Sequence, residues 1–263
     1  MKPIGVFDSG VGGLTVVKEL IKVLPYEDLI YFGDTARVPY GIKSQETVIK
    51  FSIENILFLL NQDVKLICVA CNTVSSLALP IIRHHFKVPI VGVLSPAVRE
   101  AVYATKNKKV GVIGTRGTIN SGAYEREIKQ LDPRIKVFAV ACPLFVPFAE
   151  EGFLSGPAVS YVAEKYLAPL KKQNVDTLIL GCTHYPLLKP LIQEVMGKNV
   201  TLIDSAKQVA LEVREILSRE KQLKVAGKGR QQFFVSDNPE WFSNLAKQFL
   251  GRPIHNAKKV NHV

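Results

Sequence analysis

The sequence predicts an α/β protein of two pseudo-symmetric domains, each a mainly parallel sheet flanked by helices, with a polar site between them. Three observations support this prediction. Short apolar, β-branched runs alternate with stretches of helical apolar spacing, which is typical of parallel βαβ units. Two of the apolar runs are followed, after one small residue, by a cysteine and then polar residues, at Cys71 and Cys182. The order of strands, turns and helices that leads to Cys71 recurs before Cys182.

The first half begins with a predicted strand at residues 4–7, a glycine-rich turn at 8–13 and a helix at 14–24. Pro39, Tyr40 and Gly41 form a turn, because proline and glycine fix the backbone there. The other elements predicted for this half are a strand at 29–32, a helix at 45–60, a strand at 65–69, a helix at 74–85 that Pro80 interrupts, and a strand at 88–94.

The second half begins with a predicted strand at 109–114, followed by a polar segment and a helix that starts near Ala123. We expect a proline-punctuated loop at 142–147 and frayed last residues, through His255 and His262. The remaining predicted elements are strands at 135–141, 176–180, 200–203 and 232–236, and helices at 156–172, 186–196, 206–220 and 239–250.

The repeated order of strands, turns and helices defines the boundaries of the predicted domains. The interval between the two cysteines nearly equals the interval between Ile4 and Val110, which start the two halves. The segment after residue 206 has no counterpart in the second half, so we expect it to return to the first. The predicted domains are therefore residues 1–95 plus 207–263, which hold Cys71, and residues 96–206, which hold Cys182.

Composition and charge exclude several classes of protein. The chain has 263 residues, 47% hydrophobic and 22% charged, as an ordinary globular protein has. The first seven residues do not form a signal peptide, and no run approaches the roughly 20 apolar residues of a membrane span. We expect a cytoplasmic protein without a membrane partner. The net charge of +11 comes from scattered Lys and Arg residues, so contact with nucleic acid stays open without a recognition motif to support it.

The four cysteines and the glycine-rich turn allow several interpretations. Four cysteines are too few for a disulfide framework in a chain without a secretion signal. Cys68 and Cys71 formally spell a redox CxxC, but Cys68 lies inside the predicted strand, and the spacing disfavours zinc. Residues 8–13 depart from the dinucleotide-binding spacing, so a nucleotide is a weaker interpretation than a polar substrate site. Simple packing of both cysteines at strand ends is the remaining alternative.

Two equivalent thiols in two facing halves suit general acid–base catalysis. One thiolate would remove a proton next to a carboxylate, and the opposite thiol would protonate the other face, which inverts the carbon. A polar surrounding lowers a thiol pKa from about 8.5 towards neutrality. Asp8 and His184 are placed to tune Cys71 and Cys182 respectively. The donors that could stabilise the charged intermediate are Ser9, Asn72, Thr73, Thr115, Thr118 and Thr183.

Four motifs together resemble the glutamate racemases of the aspartate/glutamate racemase superfamily, in order from residue 4 to about residue 205. The resemblance implies cofactor-independent interconversion of L- and D-glutamate for peptidoglycan synthesis, with no metal. It also implies a homodimer, while contact with DNA gyrase stays open. The motifs are Asp8-Ser9-Gly10 with Gly12-Gly13, Pro39-Tyr40-Gly41, Ala70-Cys71-Asn72-Thr73 and Gly181-Cys182-Thr183-His184-Tyr185-Pro186.

The resemblance also implies residue roles. Cys71 would take the α-proton of D-glutamate and Cys182 that of L-glutamate, with Glu150 in a supporting role. The residues implied to hold substrate or assist are Asp8, Ser9, Pro39, Tyr40, Gly41, Asn72, Thr73, Thr183 and His184.

The chain departs from the family pattern at residues 94–97, where relatives commonly carry an acidic residue or histidine before Pro-Gly, and at Val74, which replaces a small alanine. The first departure leaves the hinge between the domains, and any effector contact there, undecided. Aspartate, one methylene shorter, is the alternative substrate. A non-catalytic binding protein is the alternative from another class.

Overall fold

The computed structural model describes residues 1–261 and contains two parallel β-sheets covered by helices, which confirms the predicted fold class. The first sheet has the strand order β10-β9-β2-β1-β3-β4 and the second the order β6-β5-β7-β8. The strands of the first sheet are β1 Ile4–Asp8, β2 Leu29–Gly33, β3 Leu66–Val69, β4 Ile90–Gly92, β9 Gln231–Val235 and β10 Ala257–Lys259. The strands of the second sheet are β5 Lys109–Gly114, β6 Lys136–Ala141, β7 Thr177–Gly181 and β8 Thr201–Asp204.

The helices connect the strands and cover both faces of the sheets, because successive strand residues point in opposite directions. In β1, Val6 packs in one apolar cluster and Phe7 in another on the opposite face. The helices are α1 Leu14–Val23, α2 Gln45–Leu60, α3 Asn72–Leu77, α4 Leu79–Ile82, α5 Leu94–Ala104, α6 Arg116–Asn120, α7 Ala123–Leu131, α8 Phe145–Glu150, α9 Pro157–Lys172, α10 Lys189–Met196, α11 Ser205–Arg219 and α12 Pro239–Leu250. Among residues 1–261, no helix is both long and apolar enough to cross a bilayer.

Two local predictions were wrong, both where proline suggested an interruption. The segment at 142–147, predicted as a loop, contains the start of α8, because Pro147 lies in the first turn of that helix, where proline is tolerated. The strand predicted to reach residue 94 ends at Gly92, and Leu94 begins α5, with Pro96 again near the helix start. The predicted helix at 74–85 is divided into α3, α4 and a 3₁₀ turn, as Pro80 suggested.

The C-terminal segment is more ordered than predicted. Strand β9 pairs in parallel with β2, and β10 adds an edge strand beside β9 where a frayed end was expected. The division into residues 1–95 plus 207–263 and residues 96–206 stays a prediction, and its last residues, His262 and Val263, lie outside the described part of the chain.

A buried ion pair joins the C-terminal segment to the first sheet. The Lys65 ammonium donates to Glu27 Oε2 at 2.7 Å and to the carbonyl of Gln222 at 2.7 Å. The backbone N–H of Lys224 donates to the other oxygen of Glu27 at 2.7 Å. Glu27 and Lys65 are 1% and 8% exposed, so neither charge has water as an alternative partner.

We predict that Lys65→Ala lowers the free energy of unfolding by about 3 kcal/mol, because it leaves the buried Glu27 carboxylate without its cation. Urea denaturation measures this loss. Lys2→Ala is the matched control, since Lys2 pairs with Asp63 at an exposed site and its removal should change stability little. Equal losses in the two variants would contradict the prediction.

Candidate active site

Cys71 and Cys182 lie at the carboxyl ends of β3 and β7, where parallel sheets place their ligands. Cys71 is the N-cap of α3, and Cys182 directly follows β7. The two residues are 5% and 6% exposed, and both line one cavity of about 50 Å³. The cavity lining is formed by Ser9, Gly10, Val38, Pro39, Tyr40, Gly41, Cys71, Asn72, Thr73, Thr115, Val146, Glu150, Cys182, Thr183 and His184.

Most of the residues predicted for the site therefore line this one cavity. Asp8 and Thr118 are buried and reach the site through hydrogen bonds to residues of the lining. Gly10, Val38 and Val146 complete the lining and were missed as site residues. Val38 and Gly10 are sequence neighbours of predicted residues, whereas Val146 lies in the segment predicted as a loop and carried no signal.

A chain of hydrogen bonds extends from Cys182 to Glu150. His184 Nδ1 lies 3.8 Å from the Cys182 sulfur, and His184 Nε2 lies 2.8 Å from Glu150 Oε1. Burial by itself would lower the pKa of His184, but its hydrogen bonds and charge interactions with Cys182 and Glu150 raise that pKa to about 10. Near neutral pH, both ring nitrogens of the imidazolium are therefore donors, and a positive charge faces the Cys182 sulfur.

The surroundings of Cys71 are different. Its thiol donates a hydrogen bond to Ser9 Oγ at 3.7 Å. Burial, and then the nearby charge of Asp8, raise the pKa of Cys71 to about 12. The hydrogen bonds of Cys71 oppose this rise, but burial outweighs them. The two cysteines are thus alike in position and unlike in electrostatics.

Asp8 is fully buried beneath the site. Its carboxylate accepts from the backbone N–H of Gly10 at 3.0 Å and from Thr183 Oγ1 at 3.5 Å. Burial raises the pKa of Asp8, while the charge of His184 and these hydrogen bonds oppose the rise. Asp8 therefore links the glycine-rich turn of the first half to the segment that follows Cys182.

Three threonine hydroxyls join the halves beside the cavity. Thr73 Oγ1 lies 3.0 Å from Thr115 Oγ1 and 3.3 Å from Thr118 Oγ1. Thr115 and Thr118 are themselves 3.0 Å apart, since Thr115 is the N-cap of α6. These hydroxyls bind one another, with Thr73 and Thr115 also lining the cavity.

Tyr40 lines the cavity, but its hydroxyl is bound by residues outside the cavity lining. It donates to Asp34 Oδ2 and accepts from Asn55 Nδ2 at 3.1 Å. Asp34 also accepts from Arg37 Nε at 2.6 Å and from Ser236 Oγ at 2.9 Å. This network fixes the turn at residues 38–41. Its supporting members Asp34 and Asn55 were not among the predicted site residues.

The halves also approach closely at the glycine-rich turn. A β-carbon added at Gly12 would lie 2.4 Å from Thr183 Oγ1 and 2.5 Å from the His184 ring. Thr15 Oγ1 donates to the Thr183 carbonyl at 3.0 Å. Because Thr183 and His184 fill the space over Gly12, the turn packs against protein at the position where a dinucleotide loop would approach a pyrophosphate.

The other cysteines do not extend the site. Cys68 lies in β3 and is fully buried, and Cys142 Sγ donates to the carbonyl of Val140 at 3.7 Å. All four cysteines are free thiols. Over residues 1–261, His, Cys, Asp and Glu side chains form no group that could hold a metal ion.

The chain is similar to known racemases over almost its whole length. A family model described as Asp/Glu/hydantoin racemase matches residues 4–213. A glutamate racemase of Geobacter metallireducens is 50% identical over 261 residues, which cover 99% of this chain and 97% of that protein. The crystal structure of a Francisella tularensis glutamate racemase in complex with D-glutamate superposes with a TM-score of 0.93 at 41% identity, covering 99% of this chain and 97% of that one.

A more distant structure shares the fold alone. An aspartate racemase homologue from Pyrococcus horikoshii superposes with a TM-score of 0.59 at 20% identity and covers 83% of this chain and 100% of that one.

We predict that an alkylating reagent labels Cys182 before Cys71 near pH 7. The two residues are almost equally buried, but burial and the charge of Asp8 raise the pKa of Cys71, and among the described residues the imidazolium of His184 lies beside Cys182. Peptide mapping by mass spectrometry after timed exposure to iodoacetamide measures both rates. His184→Asn should remove most of the difference, and equal rates in the unmodified chain would contradict the prediction.

The His184 contacts also predict a pH dependence of stability. Because the folded-state pKa of His184 is about 10, above its ordinary 6.5, the stabilisation is fully present below about pH 6.5 and is lost as pH rises towards 10. We expect the difference in free energy of unfolding between the parent chain and His184→Asn to shrink over this interval. Urea titrations at several pH values measure it, and a difference that grows with pH would contradict the assignment.

Proposed function

This chain belongs to the Asp/Glu/hydantoin racemase family, as its motifs predicted, and we propose that it is a glutamate racemase that uses two cysteine bases and no cofactor. The observation that supports this proposal is the arrangement of Cys71 and Cys182. The two thiols come from the ends of equivalent strands in two different sheets and line one cavity. Inversion of a carbon requires an acid and a base on opposite faces of a planar intermediate, and two halves that face each other supply one thiol each.

The direction of each half-reaction follows from the family resemblance. The Cys71 thiolate takes the α-proton of D-glutamate while the Cys182 thiol protonates the other face, and the roles exchange for L-glutamate. Each turnover in one direction leaves the proton on the opposite sulfur from where it began. The α-ammonium of the bound amino acid adds a positive charge near the thiols and favours the thiolate that starts the reaction.

Donors around the cavity stabilise the negative charge that develops on the substrate carboxylate. Ser9, Asn72 and Thr183 line the cavity just beyond the carboxyl ends of β1, β3 and β7. The buried Asn72 Nδ2 has no hydrogen-bond partner within residues 1–261, so it has a donor to offer. The remaining proposed binding residues are Asp8, Pro39, Tyr40, Gly41, Thr73, Thr115, Thr118 and His184, with Glu150 acting through His184.

The biological setting is also part of the proposal. Family membership supports a role in supplying D-glutamate for peptidoglycan, in a cytoplasmic homodimer. The identities to glutamate racemases are about twice the identity to the aspartate racemase homologue, which favours glutamate over aspartate as substrate.

The experiment that tests the proposal is circular dichroism of the purified protein with L-glutamate and then D-glutamate, in deuterated solvent with no cofactor added. We expect the signal to decay to zero from both enantiomers, with deuterium at Cα. Decay with aspartate alone would change the substrate and keep the mechanism. No change with either amino acid, from folded protein with reduced thiols, would favour a binding protein.

We predict that Cys71→Ala and Cys182→Ala each lower kcat for racemisation at least about a hundredfold, since each removes one acid–base group. The same dichroism assay measures the loss. Cys68→Ala is the matched control, because Cys68 is a neighbouring buried cysteine in β3 outside the cavity lining, and it should keep kcat within a few fold. Substantial turnover by either Cys71→Ala or Cys182→Ala would falsify the two-base mechanism.

A further inference from the structure

The carboxamide of Asn72 has a hydrogen-bond partner at its oxygen and none at its nitrogen among the described residues. Asn72 Oδ1 accepts a hydrogen bond from the Tyr124 hydroxyl at 2.6 Å. Asn72 Nδ2 is buried and has no partner in the described part of the chain, and the residue is only 3% exposed. A buried donor without an acceptor costs stability, and Asn72 is one of the residues that line the cavity, so we expect a bound molecule to supply the acceptor.

Tyr124 approaches Asn72 from the other half of the molecule. It lies in α7, is 3% exposed and packs against β7, so that a β-carbon at Gly181 would lie 3.3 Å from its ring. Burial raises the pKa of Tyr124, while a hydrogen bond with Ser205 opposes the rise. Its hydroxyl therefore stays protonated and able to donate. Tyr124 is outside the residues that line the cavity around the two cysteines, so it reaches that cavity through Asn72.

The orientation of a carboxamide decides what it can bind. Turned one way, Asn72 presents its NH₂ group to an acceptor, and turned the other way it presents its oxygen. The Tyr124 O–H is a donor, so it holds the carboxamide oxygen and leaves the NH₂ group for another partner. A substrate carboxylate carries only acceptors, and an oxygen turned towards it would repel it.

We propose that Tyr124 is a positioning residue of the racemase site, which fixes the Asn72 carboxamide so that Nδ2 faces the carboxylate of the bound amino acid. This inference rests on the proposed function and adds a residue to it. The hydroxyl comes from the second half and the carboxamide from the first. The Asn72 NH₂ group is therefore correctly oriented only when the two halves are close enough for Tyr124 to bind Asn72.

A double-mutant cycle with glutamate as substrate tests the inference. Tyr124→Phe keeps the ring and removes the hydroxyl, and we expect it to lower kcat/KM about tenfold. Asn72→Ala should lower kcat/KM by at least as much. If Tyr124 acts through Asn72, Tyr124→Phe has no further effect in the Asn72→Ala chain, since the group that it orients is absent.

Tyr185→Phe is the matched control. Tyr185 is a buried tyrosine of the same half, and its hydroxyl donates to the Cys142 carbonyl at 2.9 Å instead. Whatever loss this variant causes should add to the Asn72→Ala loss, so the cycle separates loss of a buried hydroxyl from loss of orientation. Thermal unfolding of each variant verifies that it is folded. If turnover of Asn72→Ala is too slow to measure, the same cycle is run on the dissociation constant of D-glutamate by calorimetry.

The outcomes are distinct. Full activity of Tyr124→Phe, or losses that add in the double variant, overturns the positioning role while the racemase proposal stands. A parent chain that neither racemises nor binds glutamate overturns the proposed function first, and the inference falls with it. Non-additive losses for Tyr124 and Asn72, with additive losses for Tyr185 and Asn72, support the inference.

Discussion

Position 12 of this chain has no room for a β-carbon, and the candidate site depends on that constraint. Any side chain there would meet the Thr183 hydroxyl at 2.4 Å and the His184 ring at 2.5 Å. Because glycine stands at this position, the turn after β1 can lie directly against the segment after β7. The same approach allows Asp8 to reach the Thr183 hydroxyl and Thr15 to reach its carbonyl. The two thiols share a cavity as a consequence.

Neither half forms the site by itself, because hydrogen bonds join side chains of one half to side chains of the other. Thr73 meets Thr115 and Thr118, and Asn72 receives its partner Tyr124 from the opposite side. Side-chain hydrogen bonds of this kind are strongly directional, so they fix relative orientation more than they add stability. Inverting a carbon demands such precision, since a shift of about 1 Å can lower a rate a hundredfold.

The two thiols are similar in position but not in charge environment. Cys182 has the His184–Glu150 chain behind it, whereas Cys71 has the Ser9 hydroxyl and the carboxylate of Asp8. A positive group therefore lies beside the Cys182 sulfur, whereas burial and the nearby charge of Asp8 raise the pKa of the Cys71 thiol.

The sequence by itself determined the fold class and most of the site. The apolar runs that precede Cys71 and Cys182 predicted strand ends, and twelve of the residues predicted for the site lie on one cavity lining. Sequence reasoning failed where proline suggested a break, at α5 and α8, because proline is also favourable in a first helical turn. It consequently missed Val146.

The tertiary structure determined the side-chain partners and the pKa values, which local sequence patterns do not encode. Tyr124 and Asn55 act on site residues from distant helices, and no motif spacing relates them to Asn72 or Tyr40. The high pKa of Cys71 likewise comes from burial, which depends on everything packed around the sulfur. Local sequence determines which backbone elements form and where they end, but side-chain partners and electrostatics depend on which elements meet in space, and only the folded chain fixes that.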